Sequence, residues 1–184
     1  MASQGYRLFF ALPLPDPVRA EARRAAQDLR LSGFQGRYTA ESSWHLTVLF
    51  AGEIAAGHVP DFMAAGTHAS AVHAGELMTA DLGAFPHRAA PRVVVLQIAG
   101  QMSWLHQTAR VLQEELAVHL KRGRQPLTPH VTLLRVSRAG LWPDSRRNPV
   151  RFTPDRLILF RSHLAPTGPT YQALASWPLA RAGV

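Results

Sequence analysis

The sequence predicts an α+β fold: a bilobal domain in which two antiparallel sheets face a central cleft and carry helices on their outer faces. Short strands and helices follow one another in an order typical of antiparallel sheets covered by helices. Each half of the chain also supplies one strand with the pattern His-x-Thr, where x is aliphatic, at His45–Thr47 and at His130–Thr132. One such strand per half favours two similar lobes. A chain of 184 residues fits a single domain over residues 1–184 with a sizeable core.

The beginning of the chain predicts a strand followed by a helix. Tyr6–Leu12 is an apolar run typical of a largely buried strand. Asp16 is then a plausible N-cap, with Pro17 at the first helical position. Apolar residues at helical spacing follow, and Gly33 is expected to end this helix.

The next segments alternate between strands and a weak helix. The expected order is a loop over 34–41, the first His-x-Thr strand ending at Gly52, a helix over His58–His73, a strand over Leu77–Leu82, a turn over Gly83–Pro86 and a strand over Arg92–Ile98.

The second half repeats this plan loosely. The expected order is an amphipathic helix over Ser103–Arg122 that Gly123 ends, the second His-x-Thr strand, a polar and flexible loop over Ser137–Pro149, a strand over Arg156–His163, a turn over Ala165–Pro169 and a strand over Thr170–Trp177. The polar loop contains Arg138, Arg146 and Arg147.

Composition and charge limit the class of protein. The 47% of hydrophobic and 17% of charged residues are typical of a soluble globular protein. No apolar run reaches the roughly 18 residues of a membrane helix, the N-terminus lacks a signal-peptide pattern, and the absence of cysteine excludes disulfides and thiolate metal sites. We therefore expect a cytoplasmic protein with no membrane partner. The formal net charge of +8 indicates a polyanionic partner.

The His-x-Thr pattern places an imidazole and a hydroxyl on one face of a strand. Side chains two apart in a strand share a face, so His45 and Thr47 lie together, whereas Trp44, Leu46 and Phe50 fall on the opposite, apolar face. An imidazole transfers protons near neutral pH and a hydroxyl donates hydrogen bonds, which suits a phosphate ligand. A single copy of the pattern is more often an ordinary half-buried strand.

Two copies favour catalysis. General acid–base chemistry needs one base, one acid and a reacting group between them, and two polar rows that face each other across a cleft supply that arrangement. The hydroxyls of Thr47 and Thr132 would stabilise charge on the oxygens of a reacting phosphate. The residues themselves do not say which of His45 and His130 is the acid.

These motifs and their flanks resemble the two-histidine phosphoesterases, and within them the bacterial and archaeal RNA 2′,3′-cyclic phosphodiesterases, also named 2′-5′ RNA ligases. The matching segments run nearly end to end: Arg7–Pro15, Trp44–Val48 with Gly52 and Glu53, Gly83–Pro86, Thr128–Arg135, Ser162–Leu164 and Gly168–Tyr171. The chain departs from the family pattern at Leu134, where a small residue is frequent, and we expect this leucine to narrow the cleft.

The resemblance implies roles for the matching residues. His45 would protonate the leaving 3′ oxygen of a 2′,3′-cyclic phosphate, and His130 would accept a proton from the attacking water, which leaves a 2′-phosphate. Strand parity puts Arg135 on the face opposite His130, where a surface arginine and a phosphate ligand are equally compatible with the sequence; the resemblance favours substrate binding.

Three aromatic residues are candidates for stacking on a base, although aromatic side chains at such positions belong more often to the core. They are Phe9, Phe85 and Tyr171.

No metal or cofactor is expected. No phosphate-binding loop of the Gly-x-x-x-x-Gly-Lys-Ser/Thr type is present. The seven other histidines show no metal-ligand spacing; they are His58, His68, His73, His87, His106, His119 and His163. We expect a monomer that acts on RNA or oligonucleotide ends carrying a 2′,3′-cyclic phosphate.

Other functions fit the same residues. A 2′-5′ RNA ligase would use the two histidines in reverse, and a non-catalytic nucleotide- or RNA-binding module would use the same cleft without needing both motifs. Small cyclic phosphates, such as an ADP-ribose cyclic phosphate, are alternative substrates. The positive charge and the arginine-bearing loop at 138–147 favour RNA ends.

Overall fold

The structure, a computed structural model, describes residues 5–121, 126–143, 147–165 and 168–180. Within these ranges the chain forms nine strands and three α-helices: β1 (Gly5–Pro13), α1 (Asp16–Leu31), β2 (Gln35–Tyr38), β3 (His45–Ala55), α2 (Val59–Ser70), β4 (Leu77–Phe85), β5 (Val93–Gly100), α3 (Met102–Glu115), β6 (His130–Arg138), β7 (Arg151–Phe152), β8 (Arg156–Ala165) and β9 (Gly168–Pro178). Short 3₁₀ turns cover Glu41–Ser43, Ala56–His58 and Ala117–His119.

The strands form two antiparallel sheets, which confirms the predicted α+β class. One sheet has the order β3-β1-β8-β9, and the other has the order β2-β6-β5-β4-β7. Helix α1 packs on β4 and β6 of the five-stranded sheet, whereas α2 and α3 pack on β3, β8 and β9 of the four-stranded sheet. No helix in the described ranges has the length and apolar character needed to cross a membrane.

Alternation along β1 shows how a strand serves both the core and the cleft. Phe10 is fully buried and its ring stacks on Phe62 of α2, with 6.2 Å between the ring centroids. The adjacent Phe9 points to the opposite side of the sheet, where its ring lies 4.9 Å from that of His45. The helices therefore cover one face of the sheet, and the other face is left for the cleft.

Helix α1 begins one residue earlier than predicted and ends where predicted. Its N-cap is Pro15, and Asp16 is already helical, where its carboxylate suits the positive end of the helix dipole. At the C-terminus Gly33 has a φ of 81°, which glycine adopts without strain. The N–H of Phe34 donates to the carbonyl of Leu29 at 3.0 Å, closing a Schellman motif.

Several predicted loops and turns prove to be strands. The expected loop over 34–41 contains β2, which is short, polar and at the edge of its sheet, so it shows no alternation in the sequence. β3 does not end at Gly52 but continues to Ala55, because Gly52 takes a φ of 80° beside a bulge. The predicted turn at 83–86 belongs to β4 as far as Phe85.

The second half also differs from the prediction at its boundaries. Helix α3 ends at Glu115 and a 3₁₀ turn follows; the expected stop at position 123 lies outside the described residues. The first two residues of the expected polar loop, Ser137 and Arg138, are the last residues of β6. Of the expected turn at 165–169, Ala165 ends β8 and Gly168 begins β9, while positions 166 and 167 lie outside the described residues.

The arginines of the expected polar loop do not form one exposed basic surface. The Arg147 side chain is 5% exposed and pairs with Glu21 at 2.7 Å and with Asp28 at 2.6 Å, both on α1. This arginine therefore anchors the segment to the core, and the prediction that the loop favours RNA is wrong for it. Arg138 is exposed, and position 146 lies outside the described residues.

Candidate active site

Both His-x-Thr strands carry a β-bulge directly after the threonine. The register of β3 against β1 skips Val48, and the register of β6 against β5 skips Leu133. An extra residue in one strand reverses the alternation of faces beyond it. Both strands consequently show the same burial order, in which two consecutive buried aliphatic residues precede an exposed one, Phe50 in β3 and Arg135 in β6.

The two bulges correct two expectations from strand parity, for Phe50 and Arg135, and one from the family pattern, for Leu134. Phe50 does not lie on the apolar face: it is 39% exposed and lines the cleft. Arg135 does not point away from His130: it lines the same cleft. Leu134 is fully buried on the core side, so the prediction that it narrows the cleft is wrong.

The cleft between the sheets is a cavity of about 420 Å³. His45 and Thr47 line it from β3, and His130 and Thr132 line it from β6. The structure thus brings the two motifs together on facing walls, and both walls come from one chain.

Each imidazole is oriented by a backbone carbonyl two residues before it. Nδ1 of His45 lies 2.8 Å from the carbonyl oxygen of Ser43, and Nδ1 of His130 lies 2.6 Å from that of Thr128. Because a carbonyl only accepts, Nδ1 must carry the proton in both rings, which leaves Nε2 for chemistry. Nε2 of His45 lies 3.0 Å from Oγ1 of Thr47, so the threonine donates to the neutral ring.

Burial makes both imidazoles harder to protonate. It lowers the pKa of His45, and the nearby His130 lowers it further, while the Ser43 carbonyl acts in the opposite direction. Burial also lowers the pKa of His130, against the effect of the Thr128 carbonyl. An anion in the cleft would favour the charged form of either ring, so a bound phosphate supports the protonated histidine that an acid–base pair needs.

The three aromatic candidates occupy different places. Phe9 lines the cavity although it is only 3% exposed, whereas Phe85 does not line it. Their rings pack against His45 at 4.9 Å and His130 at 5.0 Å. Both side chains therefore hold a histidine ring in place. Tyr171 is half-buried, lines the cavity and meets His45 edge-on at 5.2 Å.

Two cleft arginines were missed by the sequence analysis. Arg7 from β1 and Arg37 from β2 line the cavity together with Arg135. Among the residues that the structure describes, none of the three has a carboxylate ion-pair partner. Burial raises the pKa of Tyr171, and the guanidinium charges of Arg135, Arg7 and Arg37 oppose that rise. Arg7 lies two residues before Phe9 in a predicted strand, so both share one face, and this could have identified Arg7 as a cleft residue. Nothing in the sequence predicts the strand that carries Arg37.

A group with metal-ligand chemistry lies outside the cleft. The donor atoms of His58, Asp61 and His119 lie within 4.8 Å of one another. Histidine spacing in the sequence does not reveal this group because His119 is distant in sequence from the other two.

The chain is similar over most of its length to proteins of one family. A profile described as LigT-like phosphoesterase matches residues 12–95. The chain is 32% identical to the RNA 2′,3′-cyclic phosphodiesterase of Thermus thermophilus, over 94% of the chain and 90% of that relative. A crystal structure of a protein from the same organism superposes with a TM-score of 0.80 at 29% identity, covering 95% of this chain and 98% of that one. E. coli LigT complexed with ATP gives a TM-score of 0.80 at 25% identity, covering 97% and 100%.

Proposed function

The chain belongs to the LigT-like phosphoesterases, and from this premise we propose that it is an RNA 2′,3′-cyclic phosphodiesterase. It hydrolyses a terminal 2′,3′-cyclic phosphate to a 2′-phosphomonoester. The observation that supports this function is the pair of imidazoles on facing walls of one cavity, both held in the Nδ1–H tautomer by a carbonyl.

The two imidazoles divide the proton transfers between them. Nε2 of His130 takes a proton from water as the water oxygen bonds to phosphorus. The bond from phosphorus to the 3′ oxygen breaks, and Nε2–H of the His45 imidazolium protonates that oxygen. The products are a 3′-hydroxyl and a 2′-phosphate, and the pair returns to its starting charge when His130 loses its proton and His45 regains one. Each role contributes roughly 10²–10⁴-fold, and neither role requires a metal.

The hydroxyls of Thr47 and Thr132 stabilise the phosphate oxygens that are not in line with the reaction. Both threonines line the cavity beside their histidines. A hydroxyl donor already in position at these oxygens lowers the barrier because charge accumulates there in the transition state. In the free protein the Thr47 hydroxyl donates to His45 instead, and it becomes available once that ring is protonated.

The arginines and apolar residues of the cleft bind the rest of the substrate. Guanidinium groups suit phosphate oxygens, and the three in this cleft exceed what one cyclic phosphate needs. We assign Arg135, Arg37 and Arg7 to the phosphates of an RNA chain. The exposed ring of Phe50 and the ring of Tyr171 accept a base by stacking. A relative, E. coli LigT, has been crystallised with a nucleotide, ATP.

Product analysis of an oligonucleotide with a 2′,3′-cyclic end tests this function. The wild type should give a 2′-phosphate end without added metal, whereas His45→Ala and His130→Ala should each lose at least about 10²-fold in turnover. His106→Ala, an exposed histidine on α3, is the matched control and should retain full activity. Full activity in either cleft variant would rule out the assignment.

The same experiment separates hydrolysis from joining and from simple binding. A second RNA with a 5′-hydroxyl end is added, and the 2′-phosphate and 2′-5′-linked products are compared by chromatography. We expect hydrolysis to exceed joining by a wide margin. Joining in excess would make the ligase the principal activity, and binding without any turnover would leave a non-catalytic module.

A further inference from the structure

Two histidines and an aspartate converge on the outer side of the molecule. His58 ends the 3₁₀ turn before α2, Asp61 lies in the first turn of α2, and His119 ends the 3₁₀ turn that follows α3. One carboxylate oxygen, Oδ2 of Asp61, lies 3.4 Å from Nδ1 of His58 and 3.0 Å from Nε2 of His119. The two imidazole rings are 4.5 Å apart. Two nitrogens from separate elements thus face a single oxygen.

These separations suit one small cation. Zinc bonds of about 2.0–2.2 Å in tetrahedral geometry place neighbouring donor atoms about 3.3–3.5 Å apart, and the two measured distances are close to that value. A bound cation would use all three donors at once.

The exposure of the three side chains is that of a site open to solvent in which one ligand, His119, is held in place. The His119 side chain is 14% exposed and its ring lies 5.9 Å from that of Phe62, so its position is set by the core. The side chains of His58 and Asp61 are 52% and 54% exposed, which leaves an entry path and room for them to close on an ion.

We propose that His58, Asp61 and His119 bind a zinc-class transition-metal ion, with water at the fourth position. Two imidazole nitrogens among three donors favour Zn²⁺, Ni²⁺ or Cu²⁺ over Mg²⁺ and Ca²⁺, which prefer oxygen ligands. The ion ties the segment after α3 to the start of α2. Because α2 packs on β8 and β9, on the helix-covered side of the sheet, the site stabilises the fold and takes no part in the chemistry of the cleft.

Zinc titration of the full-length protein tests the site. By calorimetry the wild type should bind one equivalent of Zn²⁺, and its thermal midpoint should rise by roughly 5–10 °C at free zinc 100-fold above the dissociation constant. Mg²⁺ should give neither effect. His119→Ala should weaken zinc binding at least about 10-fold and reduce the thermal shift to about half or less at the same zinc concentration. Since His119 is mostly buried, the exposed His58→Ala is the second variant and should show the same loss.

A neighbouring histidine–carboxylate pair provides the matched control. Nδ1 of His68 on α2 lies 2.6 Å from Oε1 of Glu115 on α3, so this pair joins the same two helices with two donors instead of three. His68→Ala should keep the zinc affinity of the wild type. The proposal would be overturned by no binding in the wild type, or by binding that persists in both site variants. Loss of that persisting binding in His45→Ala would place the ion in the cleft.

Discussion

Replacement of Thr47 by valine tests whether the Thr47 hydroxyl only orients the imidazole of His45 or also acts on the phosphate. Valine has the same shape but no hydroxyl, and the backbone of residue 47 pairs with Ala11 in the sheet, so the fold should be unchanged. In the free protein Oγ1 of Thr47 lies 3.0 Å from Nε2 of His45. The hydroxyl therefore either orients the imidazole alone or also donates to a phosphate oxygen in the transition state.

The magnitude of the loss decides between these roles. A neutral hydrogen bond contributes about 0.5–1.5 kcal/mol, so an orienting role corresponds to a loss of roughly 2- to 13-fold. Removal of a donor to an oxygen that gains charge in the transition state costs about 2.7–4 kcal/mol, or 10²–10³-fold in kcat. We expect the larger loss, with KM little changed, because the hydroxyl is released from His45 when that ring is protonated.

Steady-state hydrolysis of a 2′,3′-cyclic-ended oligonucleotide by Thr47→Val, with Thr47→Ser as control, measures this loss. Thr47→Ser keeps the hydroxyl and should stay within about tenfold of the wild type. The double variant with His45→Ala adds a second criterion: an independent contact with phosphate makes Thr47→Val deleterious in that background too. A single-variant loss below about tenfold, with no further effect in the double variant, would refute the transition-state role.

Three further predictions concern pH, binding and stability. Because burial lowers the pKa of both cleft histidines, the bell-shaped pH profile of kcat/KM should peak below about pH 6.5. The profile of kcat should lie at higher pH because bound phosphate favours the imidazolium. An optimum of kcat/KM above about pH 7 would contradict this prediction. Arg135→Met should raise KM for the oligonucleotide about 10- to 100-fold and should yield some 3′-phosphate product, which chromatography detects. Arg138→Met, on the same strand but outside the cavity, should change neither KM nor the product. Arg147→Met should lower the free energy of unfolding in urea by about 1–3 kcal/mol, because the buried Glu21 is then left with Arg24, whose side chain is 63% exposed. Arg151→Met at an exposed pair should cost under about 1 kcal/mol.

Local alternation predicted which residues of the motifs share a face, but not how far each strand continues. His45 and Thr47 line the cleft and Leu46 is fully buried, as a period of two requires. The bulge that follows could not be derived from this period. Its trace in the sequence is a pair of consecutive aliphatic residues, Val48-Leu49 in one strand and Leu133-Leu134 in the other, because both members of each pair face the core.

Polar segments were predicted least well, since their structure depends on distant partners. Arg147 was assigned to a flexible loop, yet it pairs with Glu21, 126 positions away in the chain. The sequence of β2 has no apolar period, and its strand state comes from pairing with β6. The group of His58, Asp61 and His119 was not predicted for the same reason. Composition identifies a charged residue, but only the tertiary contacts determine whether its charge is paired, solvated or aimed at a ligand.

The two half-sites share several contacts of the histidine rings, although Tyr171 lies edge-on to His45 alone among the two, and they differ in charge five residues further along each strand. Each imidazole has the same carbonyl contact, the same bulge beyond it and an aromatic ring at about the same distance. Five residues after the histidine, however, β3 presents Phe50 and β6 presents Arg135. A ring attracts a base and a guanidinium attracts phosphate, so we expect this difference to orient the RNA across the cleft and to select which ribose oxygen faces His45. A substrate bound the other way round would place the 2′ oxygen there and yield a 3′-phosphate. The loss of product selectivity expected for Arg135→Met follows from this asymmetry, since without the guanidinium the two ends of the cleft differ less in charge.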